Sequence, residues 1–311
     1  MLTRFKIKVH NIGVFTSSRS DYGILSNIIK KLDKSKKFKL KLFVAGSHLS
    51  KFFGYTIKEI KKDFRSNLIN CSNITFNKGE IDIAKSSIKL SDIFYKKIKE
   101  KNNKIDQIIL LGDRYELLPV ANLCLIRGIK IVHIHGGEIT EGAIDNYIRN
   151  SISMMSNYHF VSTFKSKKRL IDFGINKKKI FLIGAPGLED INKNLYSKLE
   201  LEKKFDFKFY NKNIIISYHP ETMKIKNIEK NLNILLNCIK YFKNIRFIFS
   251  APGADIKGYS VKKKILQFIK NNKNSIYFDS LGHREYLSFL KICNLLIGNS
   301  SSGIIEAPSL T

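Results

Sequence analysis

Short runs of apolar, often β-branched residues recur along the chain, and between them lie longer stretches whose apolar positions return every three or four residues. The runs are IKVHNIGVF, FKLKLFVAG, DQIILLGD, IKIVHIHGG, YHFVST, KIFLIGAP, NIIISYHP, IRFIFSAPG, SIYFDS and NLLIGNSS. Most are nearly continuous in apolar side chains, which predicts strands buried on both faces, the condition of a parallel sheet covered on each side by helices. The covers are stretches such as YGILSNIIKKLDK, SIKLSDIFYKKIKEK, RYELLPVANLCLIRG and YLSFLKIC. Strand and helix in alternation predict βαβ units. Five or six units precede residue 184 and four come after it, so the expectation is an α/β chain of two doubly wound, Rossmann-like domains, 1–184 and 185–311. The junction falls in GAPGLEDINKNLYSKLELEKKFDFKFYNKN, which is polar, charged and weakly periodic.

Composition agrees with that division and narrows the partners. The chain has 311 residues, 43% of them hydrophobic, enough for two domains with cores of their own. Its 55 basic and 26 acidic residues give a formal charge of +29. The lysines are spread through KKLDKSKKFKLK, KKIKEKNNK and VKKKILQFIKNNKN and are not gathered in one arm. Lys, Ile, Asn and Phe are all frequent and Trp is absent, as a bias toward A/T-rich codons would produce. A solvated basic surface that steers anions is therefore preferred to a nucleic-acid site, and no RNP, zinc-finger or helix-turn-helix signature opposes this. Cys71, Cys124, Cys238 and Cys293 lie far apart, mostly in apolar surroundings, and read as free, buried thiols of a reducing compartment. MLTRFKIKVHNIGVF lacks a signal-peptide run, and no stretch nears the ~20 apolar residues of a membrane helix. The expectation is a cytoplasmic protein with no membrane partner.

In parallel α/β sheets ligands lie at the carboxyl ends of the strands, so the residues immediately after each strand are informative. TSSRSDYG (16–23), GDRYE (112–116), HGGEITEGAID (135–145), YHPET (218–222), APGADIKG (251–258) and GNSSSGIIEAP (298–308) stand at six such ends. They carry glycine, hydroxyl, basic and acidic residues in place of ordinary turns, which predicts a site between two facing domains. In GNSSSGIIE, Gly298 and Gly303 permit tight turns, while Ser300, Ser301 and Ser302 bring hydroxyls and N–H groups to a helix start, where an anion is favoured. Plain N-capping by serine is the structural alternative, although one cap needs only one serine. Neither G-x-x-x-x-G-K-[ST] nor G-x-G-x-x-G occurs. Arg19 and Arg114 stand at strand ends of the other domain, where a guanidinium fork can pair with phosphate oxygens. Together these residues suggest a nucleoside diphosphate in the cleft of two facing doubly wound domains, the GT-B arrangement.

RSDYG at 19–23, GDRYE at 112–116, HIHGGEITEGAID at 133–145, YHPET at 218–222 and GNSSSGIIEAP at 298–308, in this order, resemble the UDP-N-acetylglucosamine 2-epimerase family. The nearest branch is the hydrolysing one of sialic and legionaminic acid synthesis, and the likeness runs from about residue 12 to the last residue. It implies the GT-B fold, a UDP-sugar substrate and no metal or other cofactor. It also implies a two-stage reaction: UDP is eliminated across C1 and C2 to give a 2-acetamidoglucal, and water then adds with inversion at C2, releasing N-acetylmannosamine. UDP-N,N′-diacetylbacillosamine is an alternative substrate, and a non-hydrolysing epimerase, a GT-B glycosyltransferase and a non-catalytic nucleotide-sugar-binding protein are the competing functions.

By the same resemblance Asp113, Glu138 and Asp145 are the candidate acid–base and cation-stabilising groups, with His135 beside them. Arg19, Arg114, His219, Ser300, Ser301 and Glu306 match the UDP contacts, Glu306 at the ribose hydroxyls. Each carboxylate also has a plainer use: Asp113 as a helix cap, Glu138 and Asp145 as charges at a helix start. His133 and His135, two apart on a strand, share a face and could pair on a metal with Glu138. A zinc site wants three or four ligands, however, so one buried structural histidine and one facing the sugar is the preferred reading. Asn150 and Gly253 stand where relatives commonly have histidine and asparagine. Relatives also run on past the position of Thr311 into a further arginine-bearing loop and a helix, so the second domain is expected to be incomplete. A homo-oligomer is compatible with all of this.

Overall fold

The computed structural model describes residues 9–64, 67–77, 80–141, 143–220, 227–253 and 257–310. Within them every one of the ten apolar runs contains a strand. The strands are β1 (His10–Thr16), β2 (Phe38–Gly46), β3 (Leu68–Asn73), the two-residue β4 (Phe76–Asn77) and β5 (Glu80–Ile81), β6 (Gln107–Leu111), β7 (Lys130–Ile134), β8 (Tyr158–Val161) and β9 (Ile180–Leu182), then β10 (Lys212–Ser217), β11 (Ile245–Ser250), β12 (Ser275–Phe278) and β13 (Leu295–Gly298). The helices are α1 (Arg19–Lys34), α2 (Ile57–Asp63), α3 (Ile83–Lys99), α4 (Leu117–Ile126), α5 (Asp145–Met155) and α6 (Phe164–Asp172), then α7 (Lys198–Phe205), α8 (Ile228–Ile239), α9 (Gly258–Lys270), α10 (His283–Ile292) and the one-turn α11 (Ser302–Ile305).

The first sheet has the order β3-β2-β1-β6-β7-β8-β9 and the second β12-β11-β10-β13, both parallel throughout. In each, the chain starts near the middle, winds to one edge, and returns to wind the other way. The reversal lies between β1 and β6 in the first sheet and between β10 and β13 in the second. Successive residues of a strand supply opposite cores. Val14, Leu42, Val44 and Ile109 pack under α1 and α2 with Leu25, Ile29, Ile57 and Ile60. Phe15, Phe43, Ile108 and Leu110 pack under α3, α4 and α5 with Leu90, Phe94, Val120 and Ile152. At ~1.5–3 kcal/mol per large side chain fully buried, these two layers stabilise the first domain on both faces. The second domain repeats the scheme, with Phe247, Phe249, Leu232 and Ile265 on one face and Ile215, Ile248, Leu201 and Phe289 on the other.

Helix α1 begins where Ser18 caps it, in a capping box closed by Asp21, and it ends with Lys31 and Lys34 facing its carbonyl end. Between the sheets, the turn at Pro186–Leu188 leans on α1: Asn27 Nδ2 donates to the Glu189 carbonyl at 3.1 Å and Lys31 pairs with Glu189. A second contact joins the domains elsewhere. Lys262 Nζ donates to the Phe52 carbonyl at 2.9 Å and meets Asp279 at 2.5 Å, while the Phe52 and Tyr259 rings lie 5.0 Å apart.

Two expectations need correction. Cys71 and Cys124 are buried free thiols, but Cys293 is only partly covered and Cys238 is exposed, because it falls on the solvent side of the amphipathic α8. The serine turn opens a helix of a single turn, α11, so the dipole argument loses most of its force there, since few peptide units are aligned.

Candidate active site

The residues singled out at strand ends gather at the two chain reversals. After β1, the buried carboxylate of Asp21 accepts the N–H groups of Ser17 at 3.0 Å and Ser18 at 3.1 Å and the hydroxyl of Thr16, which fixes the turn that presents Arg19. Burial would raise this carboxyl, but the hydrogen bond and charge of His48, with the Thr16 hydroxyl and the Ser17 amide, hold it below the usual carboxylate range. His48 is itself clamped, with Nδ1 2.7 Å from Thr56 Oγ1 and Nε2 2.9 Å from Thr16 Oγ1. Arg19 lies in the cleft with Nη1 3.3 Å from Ser280 Oγ of the other domain. Burial disfavours its charge and Glu59 partly restores it, so an anion entering here meets a poorly solvated cation. After β6, Arg114 also lines the cleft, but its fork is engaged by the buried Glu116, at 3.2 and 3.1 Å.

The facing wall comes from the second reversal. The backbone of His219, after β10, is held on both sides by Asn299, at 2.8 Å each. Its Nδ1 accepts the Gly253 amide at 3.0 Å, which places the ring proton on Nε2. Gly298 makes the juxtaposition possible: its φ is +151°, and a Cβ there would stand 1.9 Å from the Ser217 carbonyl oxygen. Ser301 occupies the cap position of α11 yet makes no side-chain capping bond, and Ser300 Oγ accepts the Ser302 amide at 3.3 Å. Capping therefore does not consume the three hydroxyls. Burial raises the Glu306 carboxyl, against the Ser302 hydrogen bond and the imidazole of His135. All six expected UDP contacts, Arg19, Arg114, His219, Ser300, Ser301 and Glu306, thus line one cleft between the domains. In YHPET and APGAD, Glu221, Thr222, Ala254 and Asp255 lie outside the described residues.

Asp113, His135 and Glu138 gather after β6 and β7, Asp145 opens α5, and none of the four is in the wall of that cleft. Asp113 is ion-paired with Arg149. Glu138 Oε1 is 2.7 Å from His135 Nδ1 and accepts the Ser162 hydroxyl. Burial would raise Glu138, but these partners outweigh it and hold the carboxyl below its ordinary range, so it stands ionised at neutral pH. Asp145 is the first residue of α5. β7 stops at Ile134, and His135 takes left-handed backbone, φ +63°, so the two-residue period does not extend to it. The two imidazoles have different partners: His133 meets Gly112 O at 2.8 Å and Ser153 Oγ at 3.0 Å. His135 Nε2 is buried with no hydrogen-bond partner among the described residues.

Sequence reading missed Ser280, His283 and Tyr286, which line the cleft from α10 and the loop before it, and the supports Asp21, His48, Arg149 and Asn299. Asp21 and Asn299 were inside quoted motifs; Thr16, Ser17 and Ser18 lie close to Asp21 in sequence, but its partner His48 and the His219 backbone held by Asn299 are distant and left no local signal.

Two parallel-sheet α/β domains facing each other across a cleft, with phosphate-competent groups on both walls, define a GT-B-like protein. Residues 30–311 match the family model described as UDP-N-acetylglucosamine 2-epimerase, and the chain belongs to that family. It is 38% identical, over 96% of its length and 77% of the relative's, to the GDP/UDP-N,N′-diacetylbacillosamine 2-epimerase (hydrolyzing) of Campylobacter jejuni. It is 31% identical to the UDP-N,N′-diacetylbacillosamine 2-epimerase (hydrolyzing) of Legionella pneumophila, over 97% and 79%. In fold it is similar to the UDP-GlcNAc 2-epimerase of Neisseria meningitidis bound to UDP-GlcNAc, with a TM-score of 0.76 at 17% identity over 96% of this chain and 80% of that one. The Methanocaldococcus jannaschii enzyme in complex with UDP-GlcNAc and UDP gives 0.73 at 20% identity, over 96% and 82%. The motifs that resembled this family are thus carried on its fold, and the chain is a UDP-sugar 2-epimerase.

Proposed function

We propose that this epimerase is of the hydrolysing type and converts a UDP-linked 2-acetamido hexose to UDP and a free sugar inverted at C2. Likeness to the Campylobacter and Legionella diacetylbacillosamine 2-epimerases supports UDP-N,N′-diacetylbacillosamine as the substrate ahead of UDP-N-acetylglucosamine. The observation that carries the reading is the joining of two reversals: a cleft between them lined by Arg19, Arg114, His219, Ser300 and Ser301, and the carboxylates of Asp113 and Glu138 after β6 and β7. The proton at C2 is not acidified by a carbonyl, so it leaves only as the C1–O bond to UDP breaks and positive character builds at C1. The half-buried cation Arg19, the Nε2 proton of His219 and the hydroxyls of Ser300 and Ser301 stabilise the departing diphosphate. Ionised Glu138, oriented by His135, or Asp113, held by Arg149, takes the proton and balances the charge. Water then adds its hydroxyl to C1 of the glycal, and a proton reaches C2 from the opposite face. The unpartnered Nε2 of His135 is available to a sugar hydroxyl or to that water.

The test is NMR of products formed in D₂O from each UDP-sugar. Free mannosamine-type sugar with deuterium at C2 is expected. A UDP-linked epimer would show the non-hydrolysing type, and unlabelled free sugar of the starting configuration would show simple hydrolysis. Asp113→Asn should lower turnover by about 10²-fold or more at unchanged fold, and full activity in that variant would sink the assignment.

We also propose that two copies associate through α3, α4 and α5. Ile88, Leu118, Leu125, Ile126, Tyr147 and Met154 are exposed there, and α4 carries no charged residue at all in a chain of net charge +29. An exposed apolar patch centred on an uncharged helix is what two copies can bury against each other, with the lysines of α3 left at its rim. Sedimentation of the Leu125→Glu, Ile126→Glu variant should give monomer where the parent gives dimer.

A further inference from the structure

Arg149, on α5, is 4% exposed and pairs with Asp113. Its other contacts give it a wider role. Nη1 donates to the Glu138 carbonyl at 2.8 Å and to Asn146 Oδ1 at 3.1 Å, and Nη2 donates to Thr140 Oγ1 at 2.9 Å. Asn146 also ties to the backbone of Thr140, accepting its N–H at 2.8 Å and donating to its carbonyl at 2.7 Å. One guanidinium therefore joins the end of β6, the turn after β7 and the first turn of α5. These three segments carry Asp113, Glu138 and Asp145.

Burying a guanidinium costs several kcal/mol in desolvation, and Arg169, which donates to the Gly137 carbonyl, adds like charge nearby. The cost is not required by the sheet: every acceptor of Arg149 lies in a loop or at a helix start, and none lies in a strand. Lysine could supply the charge but not the planar fork that reaches three segments at once. Resting on the epimerase reading above, we propose that Arg149 is the positioning residue that sets the Asp113 carboxylate against Glu138 and Asp145, while the diphosphate is bound in the cleft without its help.

That division makes the role separable from ordinary support of the fold. In Arg149→Gln, turnover of the preferred UDP-sugar should fall by about 10²-fold with KM and the calorimetric Kd for UDP within about threefold of the parent. Arg149→Lys, which keeps the charge and loses the fork, should retain UDP affinity and fall by about tenfold, and it covers the case in which Arg149→Gln does not fold. Guanidinium chloride at tens of millimolar should restore part of the turnover of Arg149→Gln and none of Asp113→Asn. Turnover within threefold of the parent in either Arg149 variant, or loss of UDP affinity in parallel with turnover, would overturn the proposal. Failure of the unmodified protein to act on any UDP-sugar would instead overturn the functional reading beneath it.

Discussion

At the scale of single residues, His133 and His159 face each other as register partners in β7 and β8, both fully buried. Burial is the first cause that pushes each imidazole from 6.5 down to about 4, so both are neutral rings in the folded protein. Between those values the unfolded chain binds protons that the folded one does not, so stability is full above pH 6.5 and is lost as pH falls toward 4. Each ring contributes on the order of 2–3 kcal/mol to that loss. Urea midpoints should fall steadily from pH 7 to 4.5, and His159→Phe should remove about half the slope. A midpoint that does not move would show that these rings are solvated. The sequence marked His133 as one of a pair, but only the φ of His135 and the contacts to Gly112 and Ser153 told which of the two is structural.

At the scale of elements, the strands of the interior were legible because both their faces are apolar, and the edge strand β3 was not, because LINCSN is partly polar and carries no alternation. The strand-to-turn transition at Gly298 shows where an element and the site meet. Ser217 and Gly298 are register partners of β10 and β13, and a side chain at 298 would strike the backbone oxygen that the pairing brings close. Gly298→Ala should destabilise the second domain by ~2–3 kcal/mol and weaken UDP binding, since His219 and Ser300 follow directly on the two strands it would force apart. Calorimetry with UDP and a melting curve check both parts. Unchanged affinity would mean that the serine turn is not a diphosphate contact. The glycine was visible in GNSSSG, but its reason was not, because the neighbouring strand is about eighty residues away in sequence.

At the scale of the whole molecule, the site exists only while the domains stay together. The contact of Lys262 with the Phe52 carbonyl and the Phe52 ring, at 4.1 Å, holds α9 against the first domain, well away in sequence from the 183–197 connection, while Asp279 of its own domain balances its charge. Lys262→Met should leave each domain folded and loosen the cleft, raising the Kd for UDP about tenfold, equivalent to ~1.4 kcal/mol, with a larger radius of gyration in scattering. An unchanged radius and affinity would show that the connecting chain alone fixes the domains.

The ten apolar runs, the helical periods between them and the six unusual strand ends were local properties, so the sequence by itself determined the fold class, the two doubly wound units and the chemical types gathered in the site. What it left open was order. Sheet order depends on which strands pair, and the energy of that choice resides in contacts between distant residues. Tertiary structure put β1 beside β6 and β10 beside β13, and so brought Arg19 next to Arg114 and His219 next to Ser300. It also engaged Arg114 with Glu116 and gave Asp113 to Arg149, because a buried charge must find its opposite wherever the fold places one.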